Sequence, residues 1–133
     1  MANEAVIIEL FNGGRPIRFT CADGTTIEKG TMLELTDPRT VIANTNDAAP
    51  FVGIAAAEKV ASDGATTISA YTDGIFDMLT DAGTDSVGVL VANSATENTV
   101  ETADAADILA GADVGNLLEA AGNAEVCAVR VNK

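Results

Sequence analysis

The sequence predicts an all-β protein, a compact small barrel or sandwich of short strands with at most one short helix. Three observations carry that expectation. Turn signals recur at short intervals, the runs between them are short and β-prone, and several of those runs alternate apolar with polar residues.

The turns are Asn12-Gly13-Gly14, Asp23-Gly24, Asp37-Pro38, Asn44 to Pro50, Ser62-Asp63-Gly64, Asp73-Gly74, Asp81 to Asp85 and Ala121-Gly122-Asn123. Glycine supplies positive φ, while Asp and Asn tolerate it and bond locally to the backbone. Between them lie the strand candidates Ile17 to Cys21, Thr31 to Thr36, Thr40 to Ala43, Phe51 to Ala56, Thr66 to Thr72, Gly74 to Leu79, Ser86 to Ala92 and Glu125 to Val131. Ile17, Phe19 and Cys21 share one side of their run, with Arg18 and Thr20 on the other. The last run points Cys127, Val129 and Val131 one way and Val126, Ala128 and Arg130 the other. Thr102 to Gly111 reads as a short Ala-rich helix stopped by Gly111. Helix propensity in Val114 to Ala121 competes with its context, because Ala121-Gly122-Asn123-Ala124 resembles a hairpin loop leading into the last strand. The hairpin makes 114–121 the penultimate strand. The echo of Asp23-Gly24-Thr25-Thr26-Ile27 in Asp63-Gly64-Ala65-Thr66-Thr67-Ile68 reads as reused turn chemistry and not as a repeat.

With 133 residues, the chain suits one domain with a real core, here an N-terminal arm over 1–14 and a single β-rich domain over 15–133. No apolar run approaches the roughly 20 residues that cross a bilayer, and no basic stretch precedes an apolar segment at the start, so no membrane partner and synthesis in the cytoplasm are expected. Twenty acidic residues against seven basic ones give a net charge of −13. The cations Arg15, Arg18, Lys29, Arg39, Lys59, Arg130 and Lys133 do not form a run, which argues against nucleic-acid binding, since phosphate neutralisation needs clustered Lys and Arg. The acidity fits solubility in a many-copy assembly, with salt adaptation as the other reading.

The sequence is poor in reaction chemistry. Without a single His it lacks the commonest general base and transition-metal ligand, and the Ser-His and Cys-His nucleophile systems with them. Cys21 and Cys127 fall on the apolar sides of their strands and read as small core residues; a disulfide between them stays open. Asp23, Asp37, Asp63 and Asp73 occupy turns, where Asp is expected for backbone reasons, and Asp104 to Asp113 lacks the ligand spacing of a calcium loop. No Lys or Ser/Thr follows Asn12-Gly13-Gly14 in phosphate-loop spacing. A carboxylate-only hydrolase remains as an enzyme alternative, weakened by four Phe, one Tyr and no Trp. No cofactor, metal site or catalytic residue is expected.

Asn3-Glu4-Ala5-Val6, Arg15-Pro16-Ile17, Ala22-Asp23-Gly24, Ile27-Glu28-Lys29-Gly30-Thr31, Leu33 and Asp37-Pro38-Arg39-Thr40, followed by Phe51-Val52-Gly53-Ile54-Ala55, Lys59-Val60, Tyr71-Thr72-Asp73-Gly74-Ile75-Phe76-Asp77, Val114-Gly115, Leu118-Glu119-Ala120 and Val129-Arg130-Val131, resemble in order and spacing the capsid decoration, or head cement, proteins of tailed bacterial and archaeal viruses. The resemblance spans nearly the whole chain and rests on turn-and-strand grammar without a site motif. It implies a compact β fold, trimers on the capsid exterior at three-fold or quasi-three-fold junctions, the major capsid protein as partner, and no catalytic residues. A tail or baseplate β-module of a virion is the alternative with the same composition.

The arm Ala5-Val6-Ile7-Ile8-Glu9-Leu10-Phe11 is apolar and β-branched, and Asn12-Gly13-Gly14 separates it from the domain. Val6, Ile7, Ile8, Leu10 and Phe11 are therefore candidate intermolecular contacts. Either the arm folds back as an edge strand of its own barrel, or it adds a strand to a neighbouring subunit or to the capsid protein. In both cases so apolar a segment must be covered.

Overall fold

A computed structural model describes residues 2–11, 14–81 and 86–133. They form β1 (Val6–Glu9), β2 (Ile17–Thr20), β3 (Met32–Asp37), β4 (Thr40–Ala43), β5 (Phe51–Ala55), β6 (Thr67–Tyr71), β7 (Asp73–Thr80), β8 (Leu90–Asn93), β9 (Thr99–Thr102), α1 (Ala105–Ala110), β10 (Asp113–Leu117) and β11 (Val126–Asn132). The protein is all-β, with one short helix among the described residues.

Two barrels account for the architecture. The first closes in the order β2-β4-β3-β5-β6. The second runs β7-β11-β10-β8-β9, and a parallel β7–β9 pairing closes it, with β1 added antiparallel along the free flank of β7. When β2 through β6 are matched in chain order to β7 through β11, every pairing and every direction coincides, including the single parallel closure, β2–β4 in one barrel and β7–β9 in the other.

The match reaches individual backbone hydrogen bonds. Gly30 N–H donates to Ala55 O as Gly88 N–H does to Leu117 O, and Ala55 N–H donates to Thr31 O as Leu117 N–H does to Val89 O. Cys21 N–H donates to Thr66 O as Thr80 N–H does to Glu125 O. Gly30 and Gly88 hold φ of 90° and 83°, and Arg39 and Asn98, each the residue before the strand that closes its barrel, hold 55° and 54°. The chain is thus a structural duplication, joined through Thr72.

Strand alternation fastens the two barrels together. Leu33 and Ala55 fill the first barrel with Cys21, Ile27, Val41, Ile68 and Ala70. Their strand neighbours Met32 and Ile54, with Phe51, face outward into a core shared with Phe76, Met78, Val91, Val100, Val114, Leu117, Cys127, Val129 and Val131 of the second barrel. Both faces of β5 and of the first half of β3 are therefore buried. Met32 N–H to Asn98 Oδ1 at 2.9 Å, Asn93 Nδ2 to Ala49 O at 2.8 Å and Phe51 N–H to Gly111 O at 3.0 Å bridge the seam.

Three sequence expectations need correction. The expected strand Ser86 to Ala92 begins only at Leu90, because Ser86 to Val89 is spent on a turn in which Val89 N–H bonds Ser86 O. The helix expected over Thr102 to Gly111 is confined to Ala105–Ala110, since Thr102 belongs to a strand, Thr99–Thr102, that pairs with β7 and β8. Asp104 caps the helix reciprocally with Asp107, and Gly111 ends it in the left-handed conformation at φ 77°. The penultimate strand occupies Asp113–Leu117 and pairs antiparallel with β11, whereas 118–121 fall in a longer connection than the expected Ala121–Ala124 loop.

Candidate interaction surface

No group of three or more His, Cys, Asp or Glu that could hold a metal occurs among the described residues. Cys21 and Cys127 are free thiols buried in the two different cores, so the disulfide left open by the sequence is absent. Burial pushes the Cys21 thiol upward, and it raises Cys127 to about 11, helped by Glu119, Asp77 and Glu125. Neither can supply a thiolate near neutral pH. Labelling by a thiol reagent should therefore be slow in the native protein and rapid in denaturant; fast native labelling of either Cys would contradict this packing.

One polar cluster was half-visible in the sequence. The echoed turns at Asp23 and Asp63 converge on Lys59, which is only 2% exposed. Its Nζ donates to Asp63 Oδ1 at 2.8 Å, Val60 O at 2.7 Å and Asp23 O at 2.9 Å, with Asp23 Oδ1 at 3.4 Å. Asp63 also accepts from Ala65 N–H, and Asp23 from Gly64 N–H. Burial alone would lower the lysine, but the bonds to Asp63 and Asp23 outweigh it and hold the ammonium above its ordinary value. The same lysine bond, seconded by Ala65 N–H, holds Asp63 below the usual carboxylate range. The cluster is a structural clamp across two turns, in which every donor of the Lys59 ammonium is used.

What the surface does present is an edge. β1 takes the first of its two possible fates and folds back onto its own chain, with Val6 opposite Asp77, Ile7 opposite Phe76, Glu9 opposite Ile75, and a bulge at Ile8. Ala5 N–H donates to Gly30 O at 2.7 Å, which ties the strand to the first barrel as well. Gly30 is required there, because a Cβ would lie 2.5 Å from Ala5 O.

The five candidate contact residues divide between inside and outside. Ile7 and Leu10 pack on the shared core, and Phe11 lies under the Arg130 guanidinium, 5.4 Å from its ring centroid. Val6 and Ile8 face solvent at 61% and 49% exposure. Asn12 and Gly13, part of the Asn12-Gly13-Gly14 stretch that separates the arm from the domain in the sequence, lie outside the described residues.

On its outer side β1 has no partner strand among the described residues. Two hollows adjoin the strand. One of about 160 Å³ is lined by Asn3, Glu4, Val6, Asp77, Met78, Leu79 and Val126, and one of about 460 Å³ by Glu4, Ala5, Val6, Ile7 and Lys29. Exposed Val126 extends the apolar ground beside Val6. A half-paired apolar strand between hollows suits main-chain pairing with another polypeptide. No helix of the described residues is long and apolar enough to cross a membrane. Compared with family models and with curated proteins, the chain matches none.

Proposed function

We propose that the protein is a structural virion component that binds the outer surface of a tailed-virus capsid, as a trimer at three-fold or quasi-three-fold junctions, and stabilises the shell. The observation that carries the self-assembly part of this reading is the open edge of β1, with Val6 and Ile8 exposed. An edge of this kind is normally blunted by charge, Pro or a covering loop, and left apolar it calls for a polypeptide partner. A trimer bridging shell subunits adds several weak contacts at once, and avidity makes them durable.

Co-sedimentation with purified empty capsids tests the proposal. Deleting the arm would be a blunt probe, since Ala5, Ile7 and Leu10 belong to the core. Val6→Lys with Ile8→Lys changes only outward side chains. This double variant should melt within a few degrees of wild type and lose at least about a hundredfold in capsid affinity as avidity is lost. Wild-type protein that does not sediment with capsids would remove the proposed role; a variant that binds as wild type does would remove β1 from it.

A further inference from the structure

The duplication exposes a vacancy. In the second barrel, β7 carries two strands on one flank: β9 at Leu79 and Thr80, and β1 along Ile75–Asp77. In the first barrel, its counterpart β2 carries only β4, at Thr20. Cys21 and Thr80 make equivalent backbone bonds, so the counterpart of Ile75–Asp77 is Pro16–Arg18. No strand lies along that flank among the described residues. We propose that this open flank of β2 receives β1 of a second copy, joining copies head to tail through one continuous sheet. The inference rests on the homo-oligomer part of the reading above and is independent of the capsid part.

At Arg18 the edge has the polarity to accept a strand, while Pro16, without an N–H, offers only its carbonyl. Thr20 N–H donates to Arg39 O on the β4 side, so Arg18, two residues back, directs its own backbone groups to that same side. Arg18 O already accepts a bond there from Arg39 Nη2 at 3.3 Å, a side chain standing where a strand would bond. Ile17 is 46% exposed.

Charge selects the occupant. Arg15, Arg18 and Arg39 are three of the seven cations in a chain of net charge −13, and all three are exposed along this flank. β1 brings apolar Val6 and Ile8 together with exposed Glu9, a complement to that basic flank.

Geometry selects the assembly. The outer flank of β1 and the open flank of β2 are different surfaces, so their contact is heterologous and gives a ring where the rotation between copies closes, whereas β1 against β1 would give a two-fold dimer. The ring covers the exposed valine and isoleucine and brings the basic flank of one copy to Glu9 of the next.

Two full-length batches, one carrying Ile8→Cys and the other Arg18→Cys, can be mixed and treated with a short bifunctional thiol reagent; the buried native cysteines remain silent in a wild-type control. The expected result is covalent linkage between the two batches in the mixture and little within the Ile8→Cys batch alone. Efficient linkage within that batch would mean β1 meets β1, and no linkage in the mixture would mean the flanks do not meet; either overturns the inference. Arg18→Glu, with circular dichroism and melting unchanged, should reduce the mass measured by light scattering from trimer to monomer, and retention of the wild-type mass would overturn it as well. A head-to-tail oligomer that ignores purified capsids would leave this contact standing and remove the capsid role. Capsid binding by a species that gives no cross-link would do the reverse.

Discussion

Gly115→Ala should be among the most damaging single-methyl additions in this protein, lowering stability by at least about 3 kcal/mol and the melting temperature by roughly 10 °C or more. A Cβ built at Gly115 lies 1.8 Å from Arg130 O and 2.7 Å from its carbonyl carbon, both backbone atoms that can move only by parting β10 from β11. Gly53, its counterpart in the first barrel, meets Tyr71 O at 2.6 Å. In each barrel the glycine precedes the residue paired with the one whose carbonyl intrudes: Asn116 with Arg130, and Ile54 with Tyr71. Such close approach is what a tight barrel corner demands. Gly53→Ala should follow the same direction with a smaller loss, and Gly24→Ala, where nothing lies within 4 Å, should be nearly neutral. Thermal melts of the three variants check the order; a Gly115→Ala protein melting within about two degrees of wild type would mean that β10 and β11 do not approach this closely.

The glycine pair also shows why the duplication was hidden while the fold class was legible. Val52-Gly53 with Val114-Gly115, and Thr40-Val41 with Thr99-Val100, are the short traces of it in neighbouring letters. The remaining equivalences are backbone hydrogen bonds and positive φ values, which Arg39 and Asn98 satisfy with unrelated side chains. Turn residues were legible because Gly, Asp and Asn act through the local backbone, and that located most strands. The strand Thr99–Thr102 was not, because it is held by β7 and β8 from outside and its own four residues carry no period. Of the interaction surface, the apolar arm could be read from Ala5 to Phe11, but its division into core-facing Ile7 and Leu10 and outward Val6 and Ile8 depends on the bulge at Ile8. The basic flank was invisible for another reason: Arg39 reaches Arg18 across 21 positions of sequence. A cation count along the chain sees no run.

Lys59→Met should lower the melting temperature by on the order of 10 °C, because it removes the buried cation whose bonds join the two turns. The methionine keeps the aliphatic stem but leaves the carbonyls of Asp23 and Val60 without their donor and brings the carboxylates of Asp23 and Asp63 together without a cation. Asp63→Asn should cost less, since the amide can still accept from Ala65 N–H and Lys59 keeps its two carbonyls. The cluster also sets a pH window. Asp63 is held below its unfolded value of about 3.9, so its contribution is complete above that value and lost as pH falls through the folded pKa. Lys59 is held above its unfolded value of about 10.4, so its contribution is complete below that value and lost as pH rises through the folded pKa. Glu101 works against a simple profile: burial, then the charges of Asp47, Asp107 and Asp81, raise its pKa, and its ionisation costs stability as pH rises. Subtracting the Lys59→Met melting curve from that of wild type at each pH removes this background. The difference should form a plateau from about pH 5 to pH 9 and shrink at both ends. A difference that grows toward low pH would mean that the two aspartates do not hold Lys59 in its charged form.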